Sequence, residues 1–325
     1  MREIHRVMEN AAEARETATT EGSGKESIPF RCGVAAVIGE PNVGKSTFLN
    51  AVLGSRLSIV TPKPQTTRRR ILGIHNGPGY QLVLVDTPGI LKPAYLLQES
   101  MLENAKRAAA GCDVLLLLID AGRALERDAP FGENVSEILA GFRAPAVAAV
   151  NKIDLIERKE LLLPVIDRLR NAFAFRAVVP MSALTGDGVD DVVRVLVALL
   201  PEHPPLYPQD MLSDLPERFF VGEIIREKIF ELFREEIPYA TEVFITEYRE
   251  DDQLDFISAE ILVERDSQKR ILIGRGGSAI REIGTRARAD IEHFLGRKVF
   301  LDLHVKVREK WRNSEAWIRR LGYHR

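Results

Sequence analysis

Only two cysteines, Cys32 and Cys112, occur in 325 residues, and both stand beside apolar segments that read as strands. That scarcity excludes a disulfide framework and a cysteine-built metal centre, and both are expected as free thiols in the core. Long hydrophobic runs are also missing. The longest apolar stretches, such as Val114 to Ile119, fall far short of the roughly 20 residues that a membrane-spanning helix needs. No apolar segment follows the charged N-terminus as in a signal peptide, and the scattered Glu residues of the first 28 positions do not suit a transit peptide. A cytoplasmic location is therefore expected. Internal repeats and low-complexity tracts are absent, which excludes fibrous and solenoid classes. What is present, 45% hydrophobic and 28% charged residues, fits a soluble globular protein long enough for two domains.

The formal charge of -2 conceals an asymmetry. From Arg265 onward there are 16 Lys and Arg against 7 Asp and Glu, net +9; the totals of 45 and 47 then leave 29 against 40 before it, net -11. A basic C-terminal part suits a polyanionic partner, although a charge excess is equally the mark of a solvated surface.

Residues 1–28 are polar and lack apolar periodicity, so a mobile tail is expected. From 29 to 203, short apolar strands alternate with amphipathic helices, with candidate strands at 33–38, 70–76, 80–86, 113–119, 146–150 and 176–180. The alternation predicts an α/β domain with a mostly parallel six-stranded sheet. Asn76-Gly77-Pro78-Gly79 is short enough for a hairpin, so one strand should run antiparallel. The proline-rich "PEHPPLYP", Pro201 to Pro208, then marks the exit from this domain, with a linker at 204–214. The remainder, 215–325, reads as a smaller α+β domain: a helix at 221–233, strands at 241–249 and 256–264, and two helices around a strand at 298–307.

The strongest chemical signal is "GEPNVGKST", Gly39 to Thr47, set between the first strand and a helix-forming run. It satisfies G-x-x-x-x-G-K-[ST] in the strand-loop-helix context that lets backbone N–H groups and a helix N-terminus surround a diphosphate. Within it Gly39, Asn42, Val43, Gly44, Lys45, Ser46 and Thr47 are the candidate phosphate-binding residues. Lys45 would reach the β and γ phosphates and Ser46 would give its hydroxyl to Mg²⁺, with Asp86 of "VDTPGI" holding that ion through water. Thr67, in "TPKPQTTRRR" (Thr61 to Arg70), is the candidate third metal contact, a switch hydroxyl that engages when a γ-phosphate is present; Thr66 is its neighbour and rival. The alternative for that stretch is a polar loop with Arg68, Arg69 and Arg70 solvated. Gly89 closes the D-x-x-G turn and joins Lys45 and Thr67 as a candidate catalytic position.

Base choice is read from "NKID", Asn151 to Asp154, and "MSAL", Met181 to Leu184. The Asp154 carboxylate can accept from N1 and the exocyclic amine of guanine, which adenine does not offer in that arrangement, and unpaired buried groups would reject the wrong base. Lys152 would lie along the base, Asn151 would tie the loops together, and the Ala183 N–H beside Ser182 would face the guanine O6. In this order after a P-loop, the set resembles the G motifs of translation-factor-class GTPases. "KPQTTRRRILGI", "GEPNVGKSTFLN", "DTPG" and "LPERFFVGEIIREKIFELFREEIPY" (Leu215 to Tyr239) resemble the Era family of ribosome-assembly GTPases.

In "ILIGRGGSAIREIG", Gly274-Arg275-Gly276-Gly277 stands before a helix carrying Ile280 and Ile283. A G-x-x-G loop lets an RNA backbone approach because no Cβ intervenes, with Arg275 and Arg281 adding charge. The segment is similar to a KH domain with type II strand order. Arg286, Arg288, Arg297, Lys298, Lys306, Arg308 and Lys310 are further candidate phosphate contacts, whereas Trp311 and Trp317 are expected to pack the terminal helix.

The family resemblance, from about Gly33 to Tyr323, implies a monomeric GTPase that cycles between GTP and GDP with Mg²⁺. It also implies binding to small-subunit ribosomal RNA near its 3′ end and assistance in maturing that subunit. Asn42 resembles the asparagine that supports K⁺ in related GTPases; a turn-stabilising role is its ordinary alternative. Ras-class GTPases orient the attacking water with a glutamine at the position of Ile90, so intrinsic hydrolysis should be slow. A regulatory GTPase at a membrane surface, with basic helices on anionic lipid, is the alternative reading.

Overall fold

A computed structural model describes residues 29–251 and 253–323; the tail expected at 1–28 lies outside the described residues. The six apolar runs of the first part form one sheet: β1 (Arg31–Ile38), β2 (Ile71–Gly77), β3 (Tyr80–Asp86), β4 (Val114–Asp120), β5 (Ala146–Asn151) and β6 (Ala177–Pro180), in the order β2-β3-β1-β4-β5-β6. Only β2 runs antiparallel, paired with β3 through the hairpin at 76–79. The central strands β4 and β5 are buried almost from end to end, which is why they read as continuous apolar runs rather than alternating ones.

Helices cover both faces. On one side α1 (Lys45–Leu53) and a later helix, Val189–Leu199, contribute Phe48, Leu49, Val192 and Leu196 to the core. On the other lie α2 (Leu96–Ala110), whose Ala105 and Ala109 meet Ile138, Leu139, Val165 and Leu169 from two further helices. Loops at the carboxyl ends of β1, β3, β5 and β6 converge at one end of this sheet, the usual place for a ligand in an open α/β fold.

The proline-rich connection is not a loose tether. Leu206, Tyr207 and Met211 pack on Leu72, Ile74 and Val83 of β2 and β3. The buried Gln81 side chain accepts from the Leu206 and Tyr207 amides at 2.8 and 2.9 Å and donates to the Tyr207 carbonyl. Ile74 N–H donates to Leu212 O at 2.9 Å, extending the edge of the sheet.

The second part builds a three-stranded sheet, β7 (Glu242–Arg249), β8 (Asp255–Val263) and β9 (Val299–Val307), antiparallel between β7 and β8 and parallel between β8 and β9. Its core joins a long helix, Glu217–Leu232, to the helix Ser278–Leu295 through Val221, Ile225, Ile229, Ile283, Ala287 and Ile291. Two short helices escaped the sequence reading, one of them Ile237–Ala240 just before β7. The apolar segment before Gly274 is the end of a short helix, Asp266–Ile273, started by the Gln268 carboxamide, which accepts from the Glu264 and Arg265 amides.

The two parts pack together. Leu97 and Met101 of α2 meet Leu262, Trp311, Ile318, Leu321 and Tyr323, so Trp311 is a packing residue, with its indole N–H donating to Ala240 O at 2.9 Å. The reading of Arg68 and Arg69 as solvated loop charges is overturned: Arg68 is 2% exposed and pairs with Glu242, while the Arg69 guanidinium lies over the Tyr323 ring. Their partners come from chain more than 170 positions away, which no local pattern announces.

Candidate functional site

The loop after β1 turns through a left-handed Gly44 (φ 98°) into α1. A Cβ there would stand 2.2 Å from the Asn151 amide nitrogen, so the glycine is what lets the loop and β5 touch. Lys45 is 6% exposed and its ammonium donates to the carbonyls of Gly39 and Glu40 at 3.2 and 3.0 Å. Burial pulls its pKa down to about 8, with the nearby Arg123 guanidinium adding to the effect and Asp86 and Glu40 opposing it. An anionic phosphate is the partner that would restore the charge.

Asp86, fully buried at the end of β3, collects three hydroxyls on one carboxylate oxygen. Ser46 donates to its Oδ2 at 2.8 Å, and Thr67 and Ser58 do so at 3.2 Å. Ser46 Oγ and Thr67 Oγ1 are 2.8 Å apart. Burial pushes the Asp86 carboxyl up, against the lowering effect of Lys45 and these hydroxyls. Its second oxygen, Oδ1, is buried without a hydrogen-bond partner. An orphaned carboxylate oxygen beside two hydroxyls is an oxygen-only set that fits a hard divalent cation such as Mg²⁺. Among the described residues no group of three or more His, Cys, Asp or Glu side chains could hold a metal, so the remaining ligands would come from phosphate and water.

A cavity of about 690 Å³ opens in front of this set. Of the nucleotide-binding candidates, Asn42, Gly44, Lys45, Ser46, Thr47, Asn151, Lys152, Asp154 and Ala183 line it, together with Thr67 and Gly89. Gly89 packs on Pro41, where a Cβ would come within 2.9 Å. Gly39, Val43, Asp86 and Ser182 stand behind the wall: the Val43 carbonyl accepts from Asn151, and Ser182 Oγ accepts from the Thr185 amide. Asn151 bridges the loops as expected of its carboxamide, since Nδ2 donates to Val43 O at 2.7 Å and Oδ1 accepts from Ala183 N–H at 2.8 Å. That second bond corrects one expectation: the Ala183 N–H is engaged by Asn151 and does not point freely at the place of a base.

Other features were not legible in the sequence. Ser58 carries no motif. Asp120, at the carboxyl end of β4, accepts from the Lys152 ammonium at 2.7 Å and from the Arg123 amide at 3.1 Å. Burial alone would raise its carboxyl, but these partners outweigh it and hold the group below the usual range. Its strand-end position was the available signal. Gln65, in left-handed conformation, also lines the cavity and accepts from the Tyr95 hydroxyl. Asn42 donates to Pro62 O at 2.9 Å, joining the P-loop to the 61–70 loop. Ile90 is 3% exposed and packs with the core under α2, so its side chain does not face the cavity at all.

At the other candidate site, Gly274, Gly276 and Gly277 all have positive φ, and a Cβ at Gly276 or Gly277 would meet nothing within 4 Å. Arg275 and Arg281 are exposed beside this open turn, which leads into the 18-residue helix Ser278–Leu295. Three of the other basic candidates are already paired: Arg286 with Glu282, Arg297 with Glu217 and Asp255, and Lys298 with Glu292. Arg288, Lys306, Arg308 and Lys310 are exposed, with Arg308 over the Trp317 ring.

A family model described as 50S ribosome-binding GTPase matches residues 34–152, and the KH domain model matches 236–312. GTPase Era of Geobacter metallireducens is 46% identical over 297 residues, covering 91% of this chain and 98% of that protein. The chloroplastic GTPase ERA-like protein of Oryza sativa is 45% identical over 90% of this chain and 69% of its own length. Among solved structures, Era in complex with MgGDPNP and nucleotides 1506-1542 of 16S ribosomal RNA superposes with a TM-score of 0.85 at 40% identity, covering 91% of this chain and all of that one. A substituted Aquifex aeolicus Era bound to GDP and aluminium fluoride gives the same TM-score and identity. With a P-loop GTPase sheet, a KH-type sheet and relatives matched over nearly their whole length, the chain belongs to the Era family of GTPases.

Proposed function

We propose that this GTPase is a slow, Mg²⁺-dependent switch that binds small-subunit ribosomal RNA near its 3′ end and assists maturation of that subunit, acting as a monomer in the cytoplasm. The observation that carries the reading is the pairing of an orphaned Asp86 oxygen, set beside Ser46 and Thr67, with an open G-x-x-G loop in one chain. The likeness to Era in complex with a 16S ribosomal RNA fragment supports the choice of RNA. No described helix is long and apolar enough to cross a membrane.

The proposed division is a nucleotide domain at 29–203, a connection at 204–214 and an RNA-binding domain at 215–325. Lys45 and the amides at the start of α1 bind the phosphates, and Asp154 and Lys152 hold the base. Ser46 and Thr67 would ligate Mg²⁺, with Asp86 behind them, and the ion supplies neutralisation of charge on the transferred phosphoryl group. With the Ile90 side chain in the core, no glutamine follows the D-x-x-G turn to orient water, which supports slow turnover. Gly274, Arg275, Gly276, Gly277 and Arg281 form the proposed RNA contact.

The test is binding of the purified protein to the 3′ segment of small-subunit ribosomal RNA with a GTP analogue, GDP or no nucleotide, at fixed salt. Binding is expected to be tightest with the analogue, and absence of binding in all three states overturns the RNA assignment. A K⁺ requirement resting on Asn42 and the 61–70 loop belongs to the same proposal. Turnover should be faster in K⁺ than in Na⁺ at matched ionic strength, and equal rates across the titration remove the requirement.

A further inference from the structure

The hydroxyl of Thr67 sits between two residues that are both held by the C-terminal part of the chain. On one side the Thr66 carbonyl accepts from Arg226 of the helix Glu217–Leu232. On the other, the Arg68 guanidinium donates to Glu242 Oε2 at 2.7 Å, to Thr241 O at 2.6 Å, to Pro238 O at 3.0 Å and to Tyr239 O at 3.1 Å. Glu242 is 3% exposed and also accepts from the Tyr323 hydroxyl at 2.7 Å. Arg69 stacks over that tyrosine and donates to Leu321 O, while Arg226 is ion-paired with Glu223.

Three arginines thus gather around one buried carboxylate at the junction of the two domains. Such a cluster is costly to desolvate, and a guanidinium making four directed bonds has one position only.

We infer that Glu242, Arg226 and Arg68 are positioning residues for the GTP-bound state. Through them the RNA-binding domain holds the 66–68 backbone so that the Thr67 hydroxyl stands 2.8 Å from Ser46 Oγ. The nucleotide site is then complete only when the second domain is docked. A hydroxyl that engages only in the γ-phosphate state makes this a selective effect: undocking weakens GTP binding and spares GDP binding. By linkage, GTP favours the docked arrangement by the same factor. The inference rests on the reading of Thr67 as a metal ligand.

The experiment compares the affinities of a non-hydrolysable GTP analogue and of GDP, in Mg²⁺, for the full chain and for Glu242→Gln, Arg68→Lys and Thr67→Val. Thermal unfolding of each variant identifies any that fails to fold, and Arg68→Lys, which keeps the charge but cannot span four acceptors, stands in if Glu242→Gln does so. Loss of positioning is expected to reduce the ratio of analogue to GDP affinity about tenfold in the clamp variants, in the usual range of coupling between sites, with a like reduction in Thr67→Val. If Thr67→Val lowers the ratio and the folded clamp variants keep the wild-type value, the inference is overturned while Thr67 retains its role. An unchanged ratio in Thr67→Val removes both. Equal losses for analogue and GDP in the clamp variants mark a purely structural role and also overturn the inference.

Discussion

Asp154→Asn is expected to weaken GTP binding by roughly 10²- to 10⁴-fold and to shift preference toward XTP. The estimate follows from removing two charge-assisted hydrogen bonds to guanine, each worth about 1.5–3 kcal/mol. Asparagine can still accept one proton, but its amide N–H₂ meets the exocyclic amine of guanine donor to donor. Xanthine carries a carbonyl at that position, so the same amide becomes complementary. Asp154 is exposed in the short 3-10 turn Ile153–Leu155, so its replacement should cost the fold little. Lys152, tied to Asp120, would keep the rest of the base wall in place. Competition of GTP and XTP against a fluorescent nucleotide measures the change, and undiminished GTP affinity would defeat the assignment of Asp154.

Replacing Gly276 and Gly277 together by Asp should lower affinity for the ribosomal RNA segment by roughly 10- to 100-fold, since two carboxylates about 5 Å from phosphate charges in water-like screening cost roughly 0.8 kcal/mol each, and more where the interface excludes water. The choice of aspartate matters. Both positions are left-handed, φ 60° and 78°, and aspartate is among the few residues with a side chain that visits this region. A Cβ meets open space at both, so the backbone of the turn can survive while its electrostatic sign reverses. Filter or fluorescence-anisotropy titration at two salt concentrations reads the loss. An unchanged affinity with an unchanged unfolding midpoint would place the RNA elsewhere.

The residues that build the phosphate end of the site were legible because their chemistry is local. The P-loop sets its own turn and helix start within nine residues, and Asp86 is announced by the strand that carries it. The six strands expected from 33–38 through 176–180 stand within two residues of their places at 31–38 through 177–180 for the same reason. What could not be read depends on residues distant in the chain. Sequence does not distinguish Thr67 from Thr66, because only the fold sets the Thr67 hydroxyl against Ser46 and Asp86 and the Thr66 carbonyl against Arg226. Asp120 shows its purpose only when Lys152 is folded against it. The Ala183 amide is taken by Asn151, a partner 32 positions away that the local sequence does not announce. The arginines at 68–70 mislead most, since a basic triplet in a polar loop is ordinarily solvent-exposed, and two of these three serve as tertiary ties.

The connection between the domains has a consequence for solubility. β2 is an edge strand, and edge strands offer unpaired backbone groups to neighbouring chains. Here Leu212 O takes the Ile74 N–H, the Ser213 hydroxyl donates to Leu72 O, and Asn76 reaches Gln209 O, so the segment from 209 to 213 sheathes that edge. Pro204, Pro205 and Pro208 contribute no amide hydrogens with which the sheath could itself recruit another strand. A nucleotide domain cut off at 203 would therefore present a bare strand and an apolar strip of Leu72, Ile74 and Val83, and self-association rather than loss of its fold would be its characteristic failure.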